Sequence, residues 1–349
     1  MKLAHPLGGV LAAATVLTVG CGTDADGANR IESTADTVTV SNCEEDLGFP
    51  SPPERMFVND GGLTSMVLAL GQQDRVRAVG GIPEHEHAEL EQYFGTTARE
   101  LQSVSEDYPT MESTIDQQID LVVAGWDYGY DESTGFTPQR LRDNGIPAYT
   151  LTESCPRSDG QLGLVDPWTA AATDIENLGV ILQREDRAQQ IIADQDQRLT
   201  ALKQAPQADE RPTVFFFDTG DAAPSSSGRF GGPEAIIDAA GGVNVFTDVD
   251  DAFFEASWEA VVRAEPDAIA IIEDPSGPSV QQKIDTLRSI PGLRDLPAVT
   301  EERFLPLHNV KWISGTLNIT AAEELRAALE GWELVPGGGP QAQHTPAGG

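Results

Sequence analysis

Four aromatic rings crowd the stretch WDYGYDESTGF: Trp126, Tyr128, Tyr130 and Phe136 fall within eleven residues of a chain that is only 6% aromatic. Rings on a connecting segment cost stability unless they cover something apolar. A macrocycle or a catecholate ring is a surface of that kind. A second set lies in TGDAAPSSSGRFGGPEA, where a Ser- and Gly-rich turn presents Arg229 and Phe230 ahead of a helix. Small residues permit close approach, and the planar guanidinium fork suits carboxylate or other oxygen acceptors. A third set, HNVKWISG, offers His308, Lys311 and Trp312, while Arg157 follows Cys155 and Asp60 closes the run RMFVND. Each has a plainer reading as an exposed charge or a packing ring. Together, three scarce cations and several rings suggest an anionic ligand that tolerates aromatic contact.

Catalysis has little support. There is no G-x-S-x-G elbow, no G-x-x-x-x-G-K-[ST] phosphate loop and no H-E-x-x-H zinc helix. PEHEH (Pro83–His87) places His85 and His87 around Glu86, a candidate metal or haem-iron contact after the run RVRAVGG. Two histidines at that spacing on a loop are more often solvated. Beyond them the body of the protein has only His308, too few dispersed ligands for a bare zinc or manganese site. The expectation is therefore no catalytic residue and no metal cofactor.

These residues must be positioned by something, and the bulk properties narrow what. At 349 residues, the chain is long enough for two cores. Acidic residues outnumber basic ones 56 to 22, giving a net charge of −34 with no basic block. Nucleic acid and anionic membrane surfaces are excluded as partners, since both need clustered cations.

Residues 1–20 read as a targeting segment: Lys2, then the apolar run LGGVLAAATVLTVG, too short to span a bilayer comfortably. It ends in TVGCG and resembles a bacterial lipoprotein signal, with Cys21 as the lipidated first mature residue; Thr18 departs from the aliphatic residue usual at its position. Lipid attachment would tether the protein to the outer face of the cytoplasmic membrane. Export leaves Cys43 and Cys155 as an even pair in an oxidising compartment. A disulfide is the default reading, contributing about 3–5 kcal/mol in the chain-entropy model, with a two-cysteine metal site as the weaker alternative.

Residues 21–36 read as a flexible tether, and PGGGPQAQHTPAGG (336–349) as a disordered tail. Between them short apolar runs alternate with helical periods, the signature of an α/β fold with mostly parallel strands. Strands are expected near 37–40, 55–60, 75–80, 120–125 and 147–152, then again at 213–218, in DAIAIIED and at 303–309. Two consecutive helices intervene. The second, near 184–204, carries a 3.6-period apolar stripe interrupted by Gln195. The expected architecture is two Rossmann-like lobes, 37–165 and 211–335, joined through a helical bridge at 166–210 with one long rigid backbone helix.

The two halves rhyme. In MESTIDQQIDLVVAGW, Glu112 precedes Asp120 by eight residues; in SWEAVVRAEPDAIAII, Glu259 precedes Asp267 by the same interval. With PPERMFVNDGGLTSMVLALGQQDRVRAVGG, IIDAAGGVNVFTDV and SIPGLRDLPAVTEERFLPL, these stretches resemble the helix-bridged substrate-binding proteins of bacterial ABC importers, over about residues 37–335. That group delivers ferric siderophores, haem and cobalamin. The resemblance implies that Glu112 and Glu259 dock into arginines of an ABC permease dimer. It also implies a monomer that captures an iron-siderophore complex between its lobes. Haem, cobalamin or a scaffold role without transport are the alternatives. The plainer reading of both glutamates is charge at a helix N-terminus, which contributes about 0.3–1 kcal/mol.

Overall fold

The computed structural model describes residues 36–105, 110–273 and 277–343. The signal segment, Cys21 and the tether up to residue 35 lie outside the described residues, as does the tail from 344. The chain begins with β1 (Asp36–Asn42), β2 (Glu45–Ser51), β3 (Met56–Asn59), α1 (Gly61–Ala69), β4 (Val76–Gly80), α2 (Glu84–Phe94) and α3 (Thr96–Arg99). It continues with β5 (Ser103–Ser105), α4 (Met111–Asp116), β6 (Leu121–Trp126), β7 (Gly129–Tyr130), α5 (Pro138–Asp143) and β8 (Ala148–Thr150). Two long helices follow, α6 (Pro167–Ile181) and α7 (Glu185–Gln204). The second half contains β9 (Thr213–Phe217), β10 (Ser225–Ser227), α8 (Gly232–Ala240), β11 (Val243–Asn244), β12 (Phe253–Glu255) and α9 (Trp258–Ala264). It closes with β13 (Ala268–Glu273), α10 (Val280–Ser289), α11 (Pro297–Thr300), β14 (Phe304–His308) and α12 (Asn318–Gly331).

Two parallel sheets result. The first runs β5-β4-β3-β6, with β8 and the short β7 also paired to β6; the second runs β11-β9-β13-β14. Strands such as β6 and β13 are buried along almost their whole length, as expected where helices cover both faces. The second sheet repeats the first without its β5 edge: β4, β3, β6 and β8 correspond to β11, β9, β13 and β14.

The repeated aspartates explain part of the rhyme. Asp120, just before β6, accepts from the backbone N–H groups of Glu54 and Arg55, both at 2.8 Å, where the chain enters β3. Asp267, just before β13, accepts from the N–H of Thr213 at 2.8 Å, the first residue of β9. Each carboxylate thus sets the register between the first strand of its sheet and the neighbour that carries it.

Three features differ from the sequence reading. The run TVTV belongs to an antiparallel hairpin, β1 with β2, set against α6; Gly48 and Pro50 in EDLGFPS masked the second strand. PEHEH is no loop. Pro83 caps α2, and Glu84 and Glu86 occupy its first turn, where acidic side chains suit the helix dipole. Residues 336–343, expected to be disordered, lie along α12: Arg326, fully buried, donates to the carbonyls of Pro206 and Pro336, and Glu323 accepts from the N–H of Gln343. A buried guanidinium needs such acceptors, and composition alone does not reveal them.

Helix α7 is anchored at both ends. Ala188 and Ile191 join the core of the first sheet, while Leu202 joins that of the second. Arg187 donates to the carbonyl of Ala69, and Arg198 makes a bidentate pair with buried Glu323 at 2.9 and 2.7 Å.

Candidate functional site

The carboxyl ends of both sheets face a cavity of about 280 Å³. Asp60 follows β3, and Asp127 with Tyr128 follow β6; from the second sheet come Asp218 after β9, Ile272 in β13, and Asn309 and Trp312 after β14. Phe253 of β12 adds a ring, and Leu162, Ser225, Ala252 and Ile313 complete the wall. Crevices outside strand carboxyl ends are where open α/β sheets bind ligands.

Asp60 is 6% exposed and caps α1, accepting from the N–H of Gly62 at 2.9 Å. Burial pushes its pKa up from the usual carboxylate value, against those helix-terminal hydrogen bonds. Asp60 and Asp127 both hold positive φ, 78° and 64°, a conformation that non-glycine residues adopt at a cost and that clusters at functional sites. Burial and then the repulsion of Asp131 and Asp251 raise the pKa of Asp127.

Tyr128 stands among these acids. Its ring meets Phe253 edge-on at 5.9 Å; Phe253 in turn meets Phe216 at 6.2 Å, and Phe216, buried in the core behind the wall, meets the cavity-lining Trp312 at 5.1 Å. The Tyr128 hydroxyl is buried without a hydrogen-bond partner among the described residues. Burial and the charges of Glu153, Asp60, Asp127 and Asp218 hold its pKa well above the usual phenol value, so it remains a donor.

Below the cavity, the halves are fastened together. Glu153 is fully buried and accepts from the N–H of Gly232 at 3.3 Å and of Ser314 at 3.1 Å; burial pushes its pKa up to about 8. The N–H and hydroxyl of Thr316 both reach Ser65 Oγ at 3.0 Å. The backbones approach closely here because glycines allow it: a Cβ on Gly315 would sit 2.8 Å from the carbonyl oxygen of Gly62.

Of the residues nominated from sequence, Asp60, Tyr128 and Trp312 line the cavity. Others do not. Tyr130 is buried in the first core, its hydroxyl donating to the carbonyl of Tyr149 at 2.9 Å and its ring stacked on Phe136. Trp126 packs edge-on to Tyr130 at 6.1 Å. Arg157 pairs with Asp159 at 2.9 Å and also donates to the carbonyl of Asp250; Arg229 pairs with the Asp250 carboxylate at 2.9 Å, and both guanidinium groups lie against the Phe230 ring. Lys311 is buried between Glu89 at 2.8 Å and Glu324 at 3.0 Å. Burial works against its charge, but Glu324 and Glu89 outweigh it and hold its pKa above the usual lysine value. His308 sits 3.6 Å from the same Glu89. His87 is buried with Nδ1 on the carbonyl of Ala98, and His85 faces His308, so neither is simply solvated. Among the described residues, no group of three or more His, Cys, Asp or Glu could hold a metal ion.

The sequence reading missed Asp127, Asp218 and Phe253. Asp218 was within reach: it ends TVFFFD as Asp60 ends RMFVND, the same place in the repeated unit.

Glu112 and Glu259 are both exposed, each the second residue of its helix behind a capping hydroxyl, Thr110 for α4 and Ser257 for α9. Cys43 and Cys155 form a disulfide, tying the β1–β2 turn to the segment after β8. No helix among the described residues is long and apolar enough to cross a membrane.

The sequence matches the family model for periplasmic binding proteins over residues 58–310. No curated protein gives a significant match. Among solved structures, an "ABC-type Fe3+-hydroxamate transport system" protein from Saccharomonospora viridis superposes with a TM-score of 0.70 at 24% identity, over 84% of this chain and 98% of that one. The haem-binding protein RhuT of Roseiflexus sp. RS-1 gives 0.57 at 22% identity, over 79% and 97%. The vitamin B12-binding protein BtuF of Vibrio cholerae gives 0.58 at 19%, over 81% and 99%. At these identities the likeness speaks to fold alone.

Proposed function

This chain belongs to the periplasmic binding protein family, whose members bind solutes and are not enzymes, and we propose that it captures a ferric siderophore between its lobes and delivers it to an ABC permease. One observation carries this reading: a cavity walled by aromatic rings and carboxylates lies where the carboxyl ends of two repeated sheets converge. Asp60, Asp127, Tyr128, Asp218, Phe253 and Trp312 are the contacts we assign to the ligand. At about 280 Å³ the cavity is at the lower limit of ligand pockets, so a bulky chelate would insert one side and leave the rest in solvent.

Glu112 and Glu259, exposed at the same position of two short helices in the repeated halves, are the proposed contacts with the permease dimer. Two matched acidic points meeting a basic surface set orientation as well as attraction. The proposed organisation is a lobe at 37–165, a bridge at 166–210 and a lobe at 211–335, with Cys21 as a lipid anchor holding a monomer outside the cytoplasmic membrane.

Tryptophan fluorescence titrated with a panel of ferric siderophores, haemin and cobalamin tests the ligand, because Trp312 lines the cavity. Saturable quenching by a ferric siderophore at micromolar concentration or below is expected. Saturation by haemin or cobalamin alone would replace the siderophore with that ligand, and no response to any would remove the transport reading.

A further inference from the structure

We propose, building on the siderophore reading above, that Asn309 sets specificity: its side-chain amide pairs with a neutral amide edge of the chelator. Asn309 opens the 3₁₀ turn Asn309–Lys311 after β14 and lines the cavity. Its carbonyl accepts from the N–H of Trp312 at 2.9 Å, and residues three apart on such a turn lie one above the other. Asn309 therefore shares the cavity face with Trp312. Between them, Val310 goes to the core and Lys311 to Glu89 and Glu324.

Commitment separates Asn309 from the other polar groups of the wall. Asp60 caps α1 and accepts from the N–H of Gly62. Asp218 takes the Ser225 hydroxyl at 3.0 Å, and the Trp312 indole N–H goes to the carbonyl of Leu307 at 3.2 Å. Asp127 is engaged within the protein, and the Tyr128 hydroxyl is sealed from the open space. The Asn309 amide differs on both counts. It bonds to no described residue, and neither its oxygen nor its nitrogen is sealed.

An asparagine side chain sets a donor NH₂ beside an acceptor C=O, both uncharged. Its complement carries the same two functions, as a secondary amide in a chelator's backbone does without formal charge. Leu162, Phe253 and Ile313 give the same cavity apolar surface. An amide that enters such a place gives up water, and both partners must then find each other. An ester at that position keeps a carbonyl but brings no N–H, so it leaves the Asn309 carbonyl without a donor.

The test compares two ferric complexes by tryptophan fluorescence titration: a linear trihydroxamate with secondary amides in its backbone, and its analogue with esters in their place. The native protein should bind the amide form about three- to tenfold more tightly, the range of one neutral hydrogen bond. Raising the salt should leave that ratio unchanged, since no net charges are paired. In Asn309→Leu, shown folded by its melting curve, the ratio should fall toward one. In Asn309→Asp, which keeps an acceptor for the amide N–H, it should persist. Equal binding of the two forms by the native protein, an unchanged ratio in Asn309→Leu, or its loss in Asn309→Asp overturns the assignment of Asn309 and leaves siderophore capture standing. Binding of neither form while haemin or cobalamin binds removes the siderophore reading, and this inference falls with it.

Discussion

Single side chains carry two expectations with clear signs. Glu112→Lys or Glu259→Lys reverses an exposed charge at a helix start, and neither residue lines the cavity. Ligand affinity should stay within about twofold while uptake in cells falls at least about tenfold, because repulsion replaces attraction at one of two docking points. Uptake at the unmutated level would refute docking. The second expectation concerns Glu153 and Asp174. Burial raises Glu153 from 4.5 to about 8 and Asp174 from 3.8 to about 7. Unfolded, both lose their protons near pH 4; folded, they keep them to pH 7–8. Folding therefore takes up protons between those limits, and the stabilisation present at low pH is lost as pH rises through the folded values. The unfolding free energy from urea titrations should be highest near pH 5 and fall toward pH 8 by a few kcal/mol, with Glu153→Gln flattening part of the slope. A flat or rising profile would contradict it. At this scale, the sequence disclosed residue types but not their facing. Tyr128 lines the cavity and Tyr130, two residues on, fills the core. The partners of Arg229 and Lys311 stand 21 residues away at Asp250 and 13 at Glu324, too far along the chain to anticipate.

Elements were more legible. Long buried runs such as VFFF in β9 and AIAII in β13 announce parallel strands because both faces need apolar cover. Short antiparallel pieces were not legible: β10, SSS, reads as a turn until β12 pairs with it. The contact between α1 and the turn after β14 was equally hidden, because it depends on glycines from distant parts of the chain. Gly315→Val would push a side chain into the carbonyl and Cα of Gly62, 2.8 and 2.9 Å from the first added carbon. The backbones would have to part, at a cost of about 1–3 kcal/mol. Both the melting temperature and ligand affinity should drop, since the same contact underlies the cavity. Unchanged affinity in a destabilised Gly315→Val protein would separate the two.

Across the whole molecule, α7 decides how far the halves can move. Twenty helical residues span about 30 Å, fixed to one core through Ile191 and to the other through Leu202 and the Arg198–Glu323 pair. Glu153 and the Ser65–Thr316 contact add fastenings nearer the cavity. Ligand binding should produce small rotations, so X-ray scattering profiles with and without ligand should nearly superimpose; a change in radius of gyration above about 1 Å would show wider closure than a continuous helix permits. The disulfide bears on a different moment in the protein's life. Cys43 and Cys155 enclose the strands of the first sheet and nothing from beyond residue 155. In a chain threaded through a membrane from its amino end, an oxidase could seal that ring while the bridging helices and the second sheet were still in transit, so one half would mature before its counterpart had emerged.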